Sequence, residues 1–280
     1  MNGRIVAGML ALMFLYAQVE GQTMDSLSSM NQNLPSSSLS AGIPLDSTTG
    51  NQQPPRPAVS VRRPFPATML ILPATLITYG ITSLGNPELK SINYQIREEL
   101  WQEAPHSPLH IDNYLQFVPA AAVYGLNAFG IKGEHNFRDR TIIYGLSTAI
   151  MATTVHGIKS MSGQWRPDES DRSSFPSGHT ATAFAAAEFL RKEYWHTSPW
   201  YGVAGYAVAA TTGYLRMYNN KHWLSDVVAG AGIGILSTDL AYYLYPTVKR
   251  LFGRHKEATT VALPFYQNGV GGISFIHHFK

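Results

Sequence analysis

Cysteine is absent from the 280 residues, and with it go a disulfide framework, a thiolate metal site and a cysteine nucleophile. Charge is scarce. Only 14% of residues are Asp, Glu, Lys or Arg. The net charge of +3 comes from basic residues scattered in short groups without a Lys/Arg run, so nothing marks a nucleic-acid partner. No internal repeat is present, and no carboxylate cluster is placed to hold a divalent ion, so neither metal nor cofactor is expected. Against these absences stand 45% apolar residues and a mean hydropathy of only −0.08. Long polar segments therefore dilute a strongly apolar part.

The order of the chain shows where that dilution lies. Residues 1–21 carry Arg4, an apolar run from Ile5 to Tyr16 and then small and polar residues, the layout of a secretory signal or a retained anchor. Residues 22–65 are rich in Ser, Asn, Gln and Pro and read as a disordered, flexible linker. Apolar stretches follow at 66–86, 112–131, 140–161, 179–195, 199–218 and 223–247, each near the roughly 20 residues that a helix needs to cross hydrocarbon. The fold class this predicts is all-α: a six-helix transmembrane bundle over 66–248. The fourth stretch is the weakest span, since Glu188 interrupts it and Arg191, Lys192 and Glu193 crowd its end; a soluble helical bundle is the alternative. Residues 87–111 carry Ile92, Ile96, Leu100 and Trp101 at helical spacing, as in an amphipathic surface helix or a solvated connecting one. The tail, 249–280, is basic and then alternates around Gln267-Asn268-Gly269, as in a short β-hairpin.

Three short blocks concentrate unusual residues near helix ends. They are Lys159 with Arg166-Pro167, then Pro176-Ser177-Gly178-His179, then Arg216 with His222 and Asp226. Singly, each reads as ordinary snorkelling charge, a helix cap or a local pair. Jointly they differ, because loops separated by two spans share a membrane side. Three cations and two histidines then meet at one patch, where like charges repel unless an anion sits among them. Arg offers a planar fork to phosphate oxygens and Lys a point charge, while the amides of Ser177 to His179 at a helix start add donors. Asp226, one turn beyond His222, can take a proton from one ring nitrogen and leave the other free to attack. His179 is expected to be protonated, so as to give its proton to a departing alkoxide. His156, inside the third span, is expected to be packed and hydrogen-bonded, and His110 has no readable role.

These blocks, in order and with matching internal spacing, resemble the three signature motifs of the type 2 phosphatidic acid phosphatase superfamily over about residues 66–248. The resemblance implies a six-helix core and metal-independent hydrolysis of a phosphomonoester or pyrophosphate. It implies Lys159, Arg166 and Arg216 holding phosphate, Ser177 and Gly178 lining it, His179 as general acid, His222 as nucleophile and Asp226 as its orienting partner. One departure is visible: Leu215 stands where the family usually has Ser, which removes one hydroxyl from the phosphate site.

By the positive-inside rule the site faces away from the cytoplasm, since most Lys and Arg outside the blocks fall on the opposite side. A cleaved signal followed by six spans would put it inside, so either the leading segment is retained or one stretch does not cross. The expected setting is a bacterial cell membrane with a periplasmic site. The expected partners are the bilayer and a membrane lipid phosphate: lipid A phosphate, undecaprenyl diphosphate, phosphatidic acid or phosphatidylglycerol phosphate. The motifs read only phosphate and do not choose among these, and oligomeric state is not legible. A soluble periplasmic acid phosphatase, a vanadate-dependent haloperoxidase and a non-catalytic membrane scaffold or transporter are the competing readings.

Overall fold

The computed structural model describes residues 67–103, 106–252, 260–267 and 270–277. The signal-like segment and the linker lie outside the described residues. The helices are α1 (Thr68–Gly85), α2 (Pro87–Arg97, running into a π turn Glu98–Gln102), α3 (Asp112–Leu115), α4 (Val118–Ala128), α5 (Phe137–Ser162), α6 (Gly178–Tyr194), α7 (Pro199–Tyr218) and α8 (Leu224–Phe252). Strands β1 (Thr260–Gln267) and β2 (Val270–His277) pair antiparallel, with Gln267 opposite Val270.

Local chemistry sets the helix limits. Asn86 ends α1 and starts α2, its side chain accepting from the amides of Glu88 and Leu89 at 2.9 and 3.2 Å, with Pro87 at the first helical position. Asn136 caps α5 through the Asp139 amide at 2.9 Å, and Gly163, at φ 54°, closes that helix in the left-handed region. Ser177 caps α6 through the Thr180 amide.

α6 and α8 form the middle of the bundle. α8 packs against α1, α5 and α6, and α6 packs in turn against α7, α5 and α4. The α6–α8 approach is close because α8 is small-sided there. A Cβ on Gly230 would lie 2.6 Å from the Ser177 carbonyl, and one on Gly234 would strike the Ala181 carbonyl and sit 2.8 Å from the Ala185 nitrogen. The seam is filled by Ala183, Phe184, Ala187, Ala231 and Ile235.

Where the sequence gives six spans, three helices, Thr68–Gly85, Phe137–Ser162 and Leu224–Leu251, are long and apolar enough to cross a membrane among the described residues. The stretch 112–131 is broken into α3 and α4; the 11 residues of α4 reach only about 16 Å. α6 is too charged, with Glu188, Arg191 and Glu193 buried in it. α7 is diluted by Tyr, Gly and Thr and carries Arg216 in its last turn. Only 17% and 22% of the α1 and α5 windows are buried against 72% for α8, so α8 is the central post. α1 turns Ile71 and Ile81 outward, an apolar exterior suited to lipid.

Two smaller expectations change. Ile96 and Leu100 of the amphipathic segment are buried against Met217, Leu224, Val227 and Val228, so that face serves the protein interior. His156 is exposed on α5 instead of packed, because the buried side of that helix runs through Ile143, Ser147, Met151 and Val155. Gly234→Ala is expected to lower stability by about 1–3 kcal/mol through overpacking of the α6–α8 seam, read as a drop in the thermal unfolding midpoint of the purified protein; an unchanged midpoint would show that the seam yields.

Candidate active site

The three blocks meet at one end of the bundle. Lys159 sits in the last turn of α5, and its ammonium donates to the carbonyls of Ser173 and Ser174. Arg166, in the loop between α5 and α6, pairs with Asp171 at 3.1 Å and donates to Ser173 Oγ at 3.3 Å. Arg216, in the last turn of α7, is buried. His222 follows in the turn before α8 and is also buried, while Asp226 lies in the first turn of α8 at 0% exposure. The turn carrying His222 is tied to the α5–α6 loop twice, by Lys221 on Asp168 at 2.5 Å and by the Trp223 indole N–H on the Trp165 carbonyl at 2.8 Å. The Ser177 amide donates to the Asp226 carbonyl at 3.0 Å. Gly178 is half-buried, with Val155 the nearest neighbour to its open side.

The electrostatics record the convergence. The His222 imidazole is lowered to about 4, by burial first, with Asp226 opposing and Arg216 and Lys159 adding to the push. His179 is likewise held at about 4, by burial first and then by Arg216, with Arg166 and Lys159 adding to the push and Asp112 opposing it. All three cations therefore act on His179. The charged His179 expected from the sequence is disfavoured, first by burial and then by the three neighbouring positive charges.

Asp226 is fastened through one oxygen. Oδ2 accepts from the Trp223 amide at 2.9 Å and from Ser174 Oγ at 2.5 Å, and it lies 3.4 Å from His222 Nδ1. This leaves His222 Nε2 as the nitrogen turned from the carboxylate.

Two site residues carry partners that sequence reasoning missed. Asp112 Oδ2 accepts from Arg216 Nη1 at 2.5 Å and is wholly buried. Its neighbour Asn113 places Oδ1 2.9 Å from His179 Nε2. The strap bearing them is anchored where Asn219 exchanges hydrogen bonds with Leu109, its Oδ1 accepting from the Leu109 amide at 2.8 Å and its Nδ2 donating to the Leu109 carbonyl at 2.7 Å. A usable signal existed: Asp112 opens an otherwise apolar stretch, and a lone carboxylate in such a place marks a site more often than a surface. Among the described residues no group of three or more His, Asp or Glu side chains is placed to hold a metal ion.

Three cations and two histidines, one of them backed by a carboxylate, make an arrangement whose chemistry suits a phosphate group. Residues 140–250 match the family model of the PAP2 superfamily. Lys159 to Asp226 fall inside it; Asp112 and Asn113 fall outside. Over 161 residues the chain is 41% identical to a lipid A 1-phosphatase of Porphyromonas gingivalis, a match covering 57% of this chain and 36% of that protein, so it spans about a third of the relative's length. Two solved structures also align. One is LpxE of Aquifex aeolicus, at 23% identity and TM-score 0.41 over 54% of this chain and 94% of that one. The other is a transmembrane PAP2 type phosphatidylglycerolphosphate phosphatase of Bacillus subtilis, at 21% identity and TM-score 0.42 over 66% of this chain and 99% of that one.

Asp112→Ala leaves the buried Arg216 guanidinium without its carboxylate and is expected to cost about 3–5 kcal/mol of stability. Thermal unfolding checks this, and added inorganic phosphate should restore more of the loss in the variant than in the parent, since phosphate supplies the missing negative charge. Equal midpoints for variant and parent would show that the pair contributes nothing.

Proposed function

We propose that the protein is a membrane-embedded hydrolase that removes phosphate from a lipid phosphate through a phosphohistidine on His222, without metal or other cofactor. The observation that carries this reading is the His222 imidazole, buried and held neutral, with Nδ1 facing Asp226 and the charges of Arg216 and Lys159 acting on it. Lys159, Arg166 and Arg216 hold the phosphate, and the amides at the Ser177–Gly178 turn of α6 line it.

In the first step the Nε2 lone pair of His222 attacks phosphorus, and the electron pair of the breaking P–O bond passes to the leaving oxygen. That oxygen takes a proton from His179 and departs as the lipid alcohol or, from a pyrophosphate, as the lipid monophosphate. Asp226 steadies the positive imidazole this creates. In the second step water attacks the phosphorus of phosphohistidine, the P–N bond breaks back to His222, and His179 receives the water's proton. Inorganic phosphate leaves.

The lipid A 1-phosphatase relative, together with a site at one end of apolar helices, favours a lipid A phosphate over the other lipid phosphates. The apolar outer faces of α1 and α5 favour a bilayer setting over a soluble acid phosphatase. The distribution of Lys and Arg favours an envelope site facing away from the cytoplasm.

His222→Ala is expected to lower phosphate release from lipid A 1-phosphate in mixed micelles by more than about a thousandfold, with the unfolding midpoint retained. Unchanged turnover in that variant would refute the mechanism.

The pH profile follows from the two histidines. Below about 4 His222 is protonated and cannot attack, so kcat/KM falls as pH drops through that value. Neutral His179 cannot serve as an acid until the phosphate arrives with a proton of its own, and a phosphate monoester loses that proton near about 6. The expected profile therefore falls on the alkaline side as pH rises through about 6, measured as kcat/KM on a soluble phosphomonoester. A flat profile from about 6 to 8 would show that His179 acquires its proton without the substrate.

A further inference from the structure

We infer that Ser174, two residues ahead of the Pro176-Ser177-Gly178-His179 block, is a positioning residue for the reaction, acting on His222 through Asp226. The inference rests on the reading of His222 as nucleophile.

Ser174 is wholly buried and joins all three blocks. Its amide donates to the Gln164 carbonyl at 3.0 Å, in the loop of the first block. Its carbonyl accepts from Lys159 Nζ at 3.5 Å. Its hydroxyl donates to Asp226 Oδ2 in the third. The serine therefore has a fixed backbone, and its hydroxyl is spent on a single acceptor.

That acceptor is the oxygen beside His222. Asp226 Oδ2 is held by two donors of different origin: the Trp223 amide, from the turn that leads into Asp226's own helix, and Ser174, from 52 residues away. The other oxygen, Oδ1, is buried with no hydrogen-bond partner, and so is His222 Nδ1. No hydrogen bond on the Oδ1 side holds the carboxylate against rotation. With Ser174 removed, Trp223 alone would fix Oδ2, and the carboxylate could swing away from the imidazole it must support when that ring becomes positive. Ser174 thus restricts Asp226 to the orientation in which its charge lies along the His222 ring.

A role of this kind has consequences that plain packing does not. Supporting the imidazolium acts on the chemical step and hardly on phosphate binding, which falls to Lys159, Arg166 and Arg216. Loss of Asp226's support also makes His222 harder to protonate, so the acidic limb of the profile moves to lower pH even as the rate drops.

The test uses the full chain in detergent micelles with lipid A 1-phosphate. Ser174→Ala is expected to lower kcat about tenfold, to leave KM within about twofold, and to move the acidic limb of kcat/KM to lower pH. In an Asp226→Asn background the same substitution should cost less than about twofold, because its route to His222 is already broken. Ser174→Thr, which keeps the hydroxyl, should stay within about threefold of the parent. An unchanged kcat in Ser174→Ala, a loss confined to KM, or an equal loss with and without the Asp226 carboxylate would each overturn the proposal. Should Ser174→Ala fail to fold, Ser174→Thr decides alone: a folded Thr variant slowed tenfold or more overturns it, and one near parental rate upholds it. Activity surviving in His222→Ala would be a failure of the underlying mechanism; a dead His222→Ala beside a fully active Ser174→Ala would sink only the role given to Ser174.

Discussion

The structure depends on keeping three cations and two imidazoles within one another's field before any anion arrives. Left alone, such a cluster would spread apart or lose protons. Each cation is instead restrained by a nearby oxygen: Asp112 on Arg216, Asp171 on Arg166, and the Ser173 and Ser174 carbonyls on Lys159. The compensation is partial. The Nε of Arg216 is buried with no hydrogen-bond partner, and both histidines are pushed towards neutrality by burial first and by the neighbouring cations after it.

Holding that arrangement is a packing problem before it is a chemical one. The block around His179 starts α6, and the block around Asp226 starts α8, so the distance between those two helices sets the depth of the site. Gly230 and Gly234 allow α8 to lie against the α6 backbone, and the Ser177 amide can then reach the Asp226 carbonyl. The same small residues that suit helices in lipid, where backbones must approach closely, therefore place the His222–Asp226 block against the Ser177–Gly178 turn. Asn93 adds a brace from outside the seam, its amide group exchanging hydrogen bonds of 3.1 Å with Ser225 beside Asp226.

Much of the site was legible because its residues have chemistry that spacing can expose. Arg216, His222 and Asp226 fall on one turn and the helix after it, and the loop-parity argument brings that turn to the other two blocks without coordinates. What spacing could not show were partners drawn from far along the chain and of ordinary type. Ser174 is one serine among many, and Asn113 is polar in a place where the sequence reads as a membrane stretch. The helix positions were readable from apolar runs, but apolarity alone overcounted the spans. The run 112–131 contains a break near Pro119, and the run 179–195 owes its polar residues to buried pairing within the protein instead of to a membrane surface. His156 shows the converse: a histidine in an apolar run was expected inside, yet the inward face of α5 is used by other residues.

The far half of α6 explains why that helix is needed at all. Beyond the site it carries Glu188, Arg191, Lys192 and Glu193, which pair inside the bundle. Arg191 meets Glu188 at 2.6 Å, Lys192 meets Asp239 of α8 at 2.8 Å, and Glu193 meets His135 at 2.8 Å and lies 3.6 Å from Arg140. Tyr206 of α7 and Tyr242 of α8 donate to Glu188 and Glu193. Three carboxylates, Glu188, Glu193 and Asp239, stand against three cations, Arg191, Lys192 and Arg140, so the charges at this end match. A matched network of buried charge adds little net stability over an apolar core, but any slip in register leaves a charge unpaired at several kcal/mol. That penalty fixes the rotation and height of α6 against α7, α8 and the loop before α5. Since Ser177 and His179 sit at the other end of the same helix, the register set by Glu188 and Glu193 is carried through about two and a half to four turns of rigid backbone to that end.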